Sequence, residues 1–155
     1  MQQAQETIYD ALRASHETQR SLCRRLLRSQ PGPARKALFD ALCVELAAHE
    51  AAEERYLYVP MLMHDLGLDA SRHALHEHHQ LDELVEELQK NDCDARGWMN
   101  TARALSRKVH HHLREEERRF FQVSGKLLSD SQKTRLARQY QRDFSRMQQQ
   151  LAAPA

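Results

Sequence analysis

Along four stretches of this chain the apolar residues recur every three to four positions, and near the middle of each stretch a histidine interrupts the stripe. Ile8 and Leu12 lead to His16, followed by Gln19, Cys23 and Leu26. Leu38, Leu42 and Leu46 lead to His49 and Glu53, then Tyr56 and Pro60. Leu75 leads to His78, then Leu81, Val85 and Leu88. Trp98, Ala102, Leu105 and Val109 lead to His112 and Glu116, then Phe120, Val123 and Leu127. That spacing marks helix faces turned toward a core. A chain of this design must therefore bury polar, metal-competent side chains at mid-helix.

Breakers set the lengths of these helices. Pro31, Gly32 and Pro33 lie in "RSQPGPA" (28–34), and Pro60 and Gly67 flank and enter "HDLGLDAS" (64–71). "KNDCDARG" (90–97) and "GKLLSDSQ" (125–132) form two further junctions. Proline and glycine end helices, while Asp and Ser cap them. The pattern predicts helices near 3–28, 34–60, 70–90, 95–127 and 131–151, with Asp92 or Asp94 capping the fourth and Ser129 or Ser131 the fifth. No strand-like alternation is bounded by turns. The expected fold is all-α: an up-down-up-down four-helix bundle over residues 1–128, with an additional C-terminal amphipathic helix in 129–155.

Composition narrows the function. Lys plus Arg is 23 against 22 for Asp plus Glu, too even a balance to draw nucleic acid. There is no 18-residue apolar run and no signal-peptide pattern at "MQQAQETIYD", so the expectation is a cytoplasmic protein with no membrane partner. Cys23, Cys43 and Cys93 have no CxxC spacing and suggest neither a disulfide scaffold nor a thiolate metal site.

An internal repeat links the two halves. "AAHEAAEERYLYV" (47–59) aligns with "HHHLREEERRFFQ" (110–122), placing His49 over His112, Glu53 over Glu116 and Glu54 over Glu117. A similar shift places His16 over His78. Residues i and i+4 share a helix face, so His49–Glu53 and His112–Glu116 each aim an imidazole and a carboxylate at one spot. Helical phase turns His110 and His111 off the stripe. Antiparallel helices then bring His16, His49, Glu53, His78, His112 and Glu116 together at mid-bundle, where bundles build metal sites.

Two ionised carboxylates in an apolar core cost several kcal/mol unless charge is supplied to them, and no Lys or Arg stands level with them on these stripes. Six ligands exceed one tetrahedral zinc site and suit two ions with bridging carboxylates and terminal imidazoles. With no thiolate among them, the set favours iron or manganese, with zinc a possible substitute. Tyr9, Tyr56 and His79 are candidates to complete the site. His64, His73 and His76 are read as solvated, and Glu115, Glu117, Arg118 and Arg119 as a solvated charged face.

His, HxxxE, His, HxxxE on successive helices resembles the hemerythrin-like, or HHE cation-binding, family. "HEAAEERYLYVP" (49–60), "EHHQLDEL" (77–84) and "HLREEERRFF" (112–121) carry the likeness, which spans residues 5–127. The resemblance implies two iron ions with an oxo or hydroxo bridge, Glu53 and Glu116 bridging, and a small diatomic or peroxide ligand. It also implies function as a binder or sensor of oxygen, peroxide or nitric oxide, or alternatively as a peroxide-decomposing enzyme or an iron-sensing bundle. The oxygen carriers of that family place a fifth histidine in an HxxxH on the third helix, where this chain has Ala74 before His78 and Asp82 after it.

In the last segment Leu136, Tyr140, Phe144, Met147 and Leu151 form an apolar stripe opposite Arg135, Arg138, Arg142 and Arg146. That stripe predicts docking on the bundle, or a homodimer through this helix.

Overall fold

The computed structural model describes residues 4–152, all of them helix, turn or irregular connection, with no strand among the described residues. Residue 3, the expected start of the first helix, and residues 153–155 of the tail lie outside the described residues. Helix α1 (Ile8–Arg28) begins five residues later than the periodicity suggests, because Thr7 caps it. The Thr7 hydroxyl accepts from the Asp10 N–H at 3.3 Å and the Asp10 carboxylate accepts from the Thr7 N–H at 3.0 Å. Helix α2 (Pro33–Glu53) starts on Pro33, where a missing N–H costs nothing, behind Gly32 at φ 134°. It runs through one π turn (Glu54–Tyr58) into the short α3 (Val59–Leu62). A 3-10 turn (Asp65–Gly67) leads to α4 (Leu68–Gln89).

Helix α5 (Trp98–Glu115) likewise passes through a π turn (Glu116–Phe120) into α6 (Phe121–Leu127). Its cap is not Asp92 or Asp94. Gly97, at φ 84°, precedes Trp98. Asp94 instead accepts from the Gly32 N–H at 2.8 Å, pinning two junctions together. Ser129 does cap α7 (Asp130–Ala152): its hydroxyl accepts from the Gln132 N–H at 3.2 Å, and the Gln132 side chain accepts in return at 2.8 Å.

Two apolar clusters divide the interior. One gathers Ile8, Leu12, Leu57, Tyr58, Met61, Phe120, Phe121, Leu136 and Tyr140. The other gathers Leu22, Leu26, Phe39, Leu42, Leu46, Leu81, Leu88, Trp98, Leu105, Val109 and Leu113. Helix α7 lies along α1 and α2 and buries Leu136, Ala137 and Tyr140 against them, so its apolar stripe docks on its own chain. The interrupted stripes set a layer of buried polar groups between the two clusters: His16, His49, Glu53, His78, His112 and Glu116, each at most 3% exposed.

Candidate metal centre

All six of those residues converge. His16, His49, Glu53 and Glu116 form one set whose ligand atoms lie within 4.8 Å of one another, and Glu53, His78, His112 and Glu116 form a second. The two carboxylates belong to both sets, as bridges between two ions would. The four imidazoles turn Nε2 inward: His16 to Glu116 at 3.2 Å, His49 to Glu53 at 3.4 Å, His78 to Glu53 at 3.1 Å and His112 to Glu116 at 3.6 Å.

Each Nδ1 is held from outside. His16 Nδ1 pairs with Glu117 at 2.8 Å, His49 Nδ1 with the Tyr140 hydroxyl at 2.8 Å, His78 Nδ1 with Glu54 at 3.0 Å and His112 Nδ1 with Glu77 at 3.2 Å. In a neutral ring an acceptor on Nδ1 selects the tautomer with its proton there, which leaves Nε2 to turn its lone pair on an ion. Glu117 is thus no part of a solvated face. Besides holding His16 it accepts from Arg20 at 2.7 Å. The one-residue step from Glu116 to Glu117 is about 100° of helix, enough to send one carboxylate inward and the next to the far side of a neighbouring ring.

Neither Tyr9, Tyr56 nor His79 completes the site. The Tyr9 hydroxyl meets Ser124 at 2.7 Å, Tyr56 packs against the first apolar cluster, and His79 is exposed and pairs with Glu83 at 2.7 Å. Tyr58 stands there instead. Fully buried, its O–H lies 2.7 Å from Glu53, bonds Glu116 as well, and lies 3.3 Å from His78 Nε2. In an unbroken α-helix a residue five positions on sits about 140° round the axis. The π turn, closed by the Val59 N–H to the Glu54 carbonyl, takes up one extra residue and returns Tyr58 to the face of Glu53. The signal for this was the adjacent buried pairs Leu57–Tyr58 and Phe120–Phe121, where the apolar stripe slips by one position.

The electrostatics without an ion are strained. Burial and the facing Glu53 push the Glu116 carboxyl up to about 7. Burial opposes the charged forms of His16 and His78, yet the neighbouring glutamates outweigh it, raising His16 to about 9 and His78 well above its ordinary value. Burial, aided by the charges of His16 and His78, carries His49 down to about 4, and Glu53 only partly offsets it. Burial, then Glu116 and Glu53, push the Tyr58 phenol up, so it stays protonated. His16 Nε2, His49 Nε2, His112 Nε2, Glu53 Oε2 and Glu116 Oε1 are buried with no hydrogen-bond partner among the described residues. Buried polar atoms are rarely left so. Orphaned atoms facing one another across a shared pair of carboxylates are a donor set that fits cations.

The hemerythrin HHE cation-binding domain family matches residues 7–123, and the chain belongs to that family. A solved hemerythrin HHE cation-binding domain-containing protein of Mycobacterium kansasii superposes with a TM-score of 0.83 at 22% identity, over 93% of this chain and 88% of that one. The chain is also 26% identical over 148 residues to a protein of Nostoc named DNA nickase, covering 96% of this chain and 42% of the relative. It therefore spans less than half of that protein. No helix among the described residues is long and apolar enough to cross a membrane.

Proposed function

We propose that this protein holds two iron ions, one between His16 and His49 and one between His78 and His112, with Glu53 and Glu116 bridging, and binds oxygen, peroxide or nitric oxide there. The orphaned inward-facing atoms of His16, His49, Glu53, His112 and Glu116 carry the reading. Iron with all-N/O ligands would supply Lewis acidity and redox chemistry to a bound small molecule. The protein's part is to hold the imidazoles by Nδ1, to exclude bulk water with the two apolar clusters, and to keep a protonated phenol, Tyr58, against both carboxylates.

A cavity of about 270 Å³ supports an exogenous ligand. Exposed Asp69, His73 and Arg119 contribute to its walls together with Ala70, Ala74, Phe120 and Val123, and it reaches His112 and Glu116. Ala74 stands where a fifth histidine would otherwise fill this space. A peroxide-decomposing activity is the second reading, favoured by Tyr58, whose hydroxyl can give a proton beside the carboxylates. Neither reading takes nucleic acid as partner, in keeping with the even charge balance.

Metal analysis of protein from iron-supplemented cells, with optical spectra before and after reduction and exposure to oxygen or peroxide, tests the proposal. About two irons per chain are expected, in line with the two four-residue sets. Full iron content in His112→Ala would sink the assignment. Turnover of added peroxide separates the enzyme from the binder.

A further inference from the structure

The run "HHHLREEE" (110–117) holds a second HxxxE pair, His111–Glu115, one residue out of phase with His112–Glu116. Helix α4 carries another, His73–Glu77. The structure sets these two pairs face to face across the α4–α5 seam. His73 Nε2 lies 3.2 Å from Glu77 Oε1 and 3.3 Å from Glu115 Oε1. His111 Nε2 lies 3.1 Å from Glu115 Oε2 and 3.8 Å from Glu77 Oε2. Two ligands of an ion at about 2.0 Å in tetrahedral array stand about 3.3 Å apart, close to the separations around His73. One ligand atom from each of His73, Glu77 and Glu115 lies within 4.8 Å of the others.

We propose that His73, Glu77 and Glu115 form a further metal site, near the surface, for a divalent first-row transition ion, with His111 at hand as a fourth ligand. The donor set is imidazole and carboxylate, suited to manganese, ferrous iron, cobalt or zinc. It is not a loose surface pairing, because Glu77 is only 3% exposed and is already fixed by His112 Nδ1. Its neighbours in charge are Lys108, partly exposed at 3.7 Å from Glu77, and Arg119, exposed at 4.0 Å from Glu115. The site also has an address. His73, Glu77 and Glu115 line the same cavity that reaches His112 and Glu116. An ion held there waits at the entrance to the buried centre, and Glu77 touches both.

Equilibrium dialysis against Co2+, with metal counted per folded chain, tests this. Four full-length chains are compared: wild type, His73→Ala/Glu115→Gln, Glu53→Gln/Glu116→Gln, and the quadruple variant, each checked for helical content by circular dichroism. The double change at exposed His73 and partly exposed Glu115 is expected to remove one Co2+ per chain in both backgrounds. Equal Co2+ content with and without it overturns the surface site, whatever the buried centre holds. A buried centre that takes no ion would instead abolish the difference between wild type and Glu53→Gln/Glu116→Gln. The difference due to His73 and Glu115 would remain in that case, so the two proposals fail separately.

Discussion

In the half built from α1 and α2, the inner histidine His49 leans on Tyr140 of α7; in the half built from α4 and α5, its counterpart His112 leans on Glu77 of α4. The repeat explains why. The residue before His78 is Glu77, long enough to cross to the next helix, whereas the residue before His16 is Ser15. The Ser15 hydroxyl donates to Glu45 at 2.8 Å, not to His49. The phenol of α7 fills the place a carboxylate holds in the other half. The outer histidines show no such divergence, since Glu117 on His16 and Glu54 on His78 are repeat equivalents. A second difference lies at Tyr58, whose equivalent is Phe121: one ring packs on His78 and the other on His16, but only the first brings a hydroxyl to Glu53 and Glu116. The inward-facing set is thus duplicated and each outer histidine is held from the opposite half, while of the inner histidines His112 is held within its own half by Glu77 and His49 from the fifth helix by Tyr140.

The largest test of this duplication is pH. Without ions, His16 holds a proton up to about 9 and His78 stays above its ordinary value, so both outer histidines must release protons when ions bind. Affinity for ferrous iron is expected to rise about tenfold per pH unit for each proton displaced, between roughly pH 6.5 and 9. Titrations that show affinity flat across that window would refute it. The ion-free chain should move the opposite way. A raised histidine contributes its full stability below its unfolded value of about 6.5, and for His16 that contribution disappears as pH climbs through about 9. Melting curves of chelated protein should therefore fall as the pH rises toward 9.

Next come matched core truncations, Leu42→Ala in one half and Leu105→Ala in the other, both fully buried in the same cluster. Each should cost about 2–5 kcal/mol in denaturant unfolding. A much smaller cost in one half would show that the halves do not unfold as a unit.

Replacing the Nδ1 partners sharpens the contrast itself. Glu77→Gln should weaken ion binding by about 10–100-fold, and Tyr140→Phe by less, near tenfold, because a neutral phenol raises the basicity of its imidazole less than a carboxylate does. Isothermal titration of both variants would decide, and equal losses would mean that charge on the partner does not matter here. The smallest effect is expected from Tyr58→Phe, which makes the two halves alike at that position. It should keep its ions and lose about 1 kcal/mol of stability in thermal unfolding. A loss of ions would make Tyr58 part of the binding set.

Much of this was legible in the residues. Breakers and spacing determine five helices, because proline and glycine interrupt helical hydrogen bonding and a period of 3.6 decides which side chains share a face. The same phase, with the repeat, singles out His16, His49, Glu53, His78, His112 and Glu116 and sets His110 and His111 aside. Only the tertiary structure decided what stands behind those residues. Glu117 turns from the solvated run toward His16, Tyr140 crosses from the last helix to His49, and His73 crosses from α4 to Glu115, which His111 also faces. Tyr58 reaches Glu53 and Glu116 only because a π turn breaks the period by which inward-facing residues are counted. Helical phase is a property of one segment, and a chain carries it locally. Partners on different helices, and a slip in the helix itself, exist only once the segments have packed.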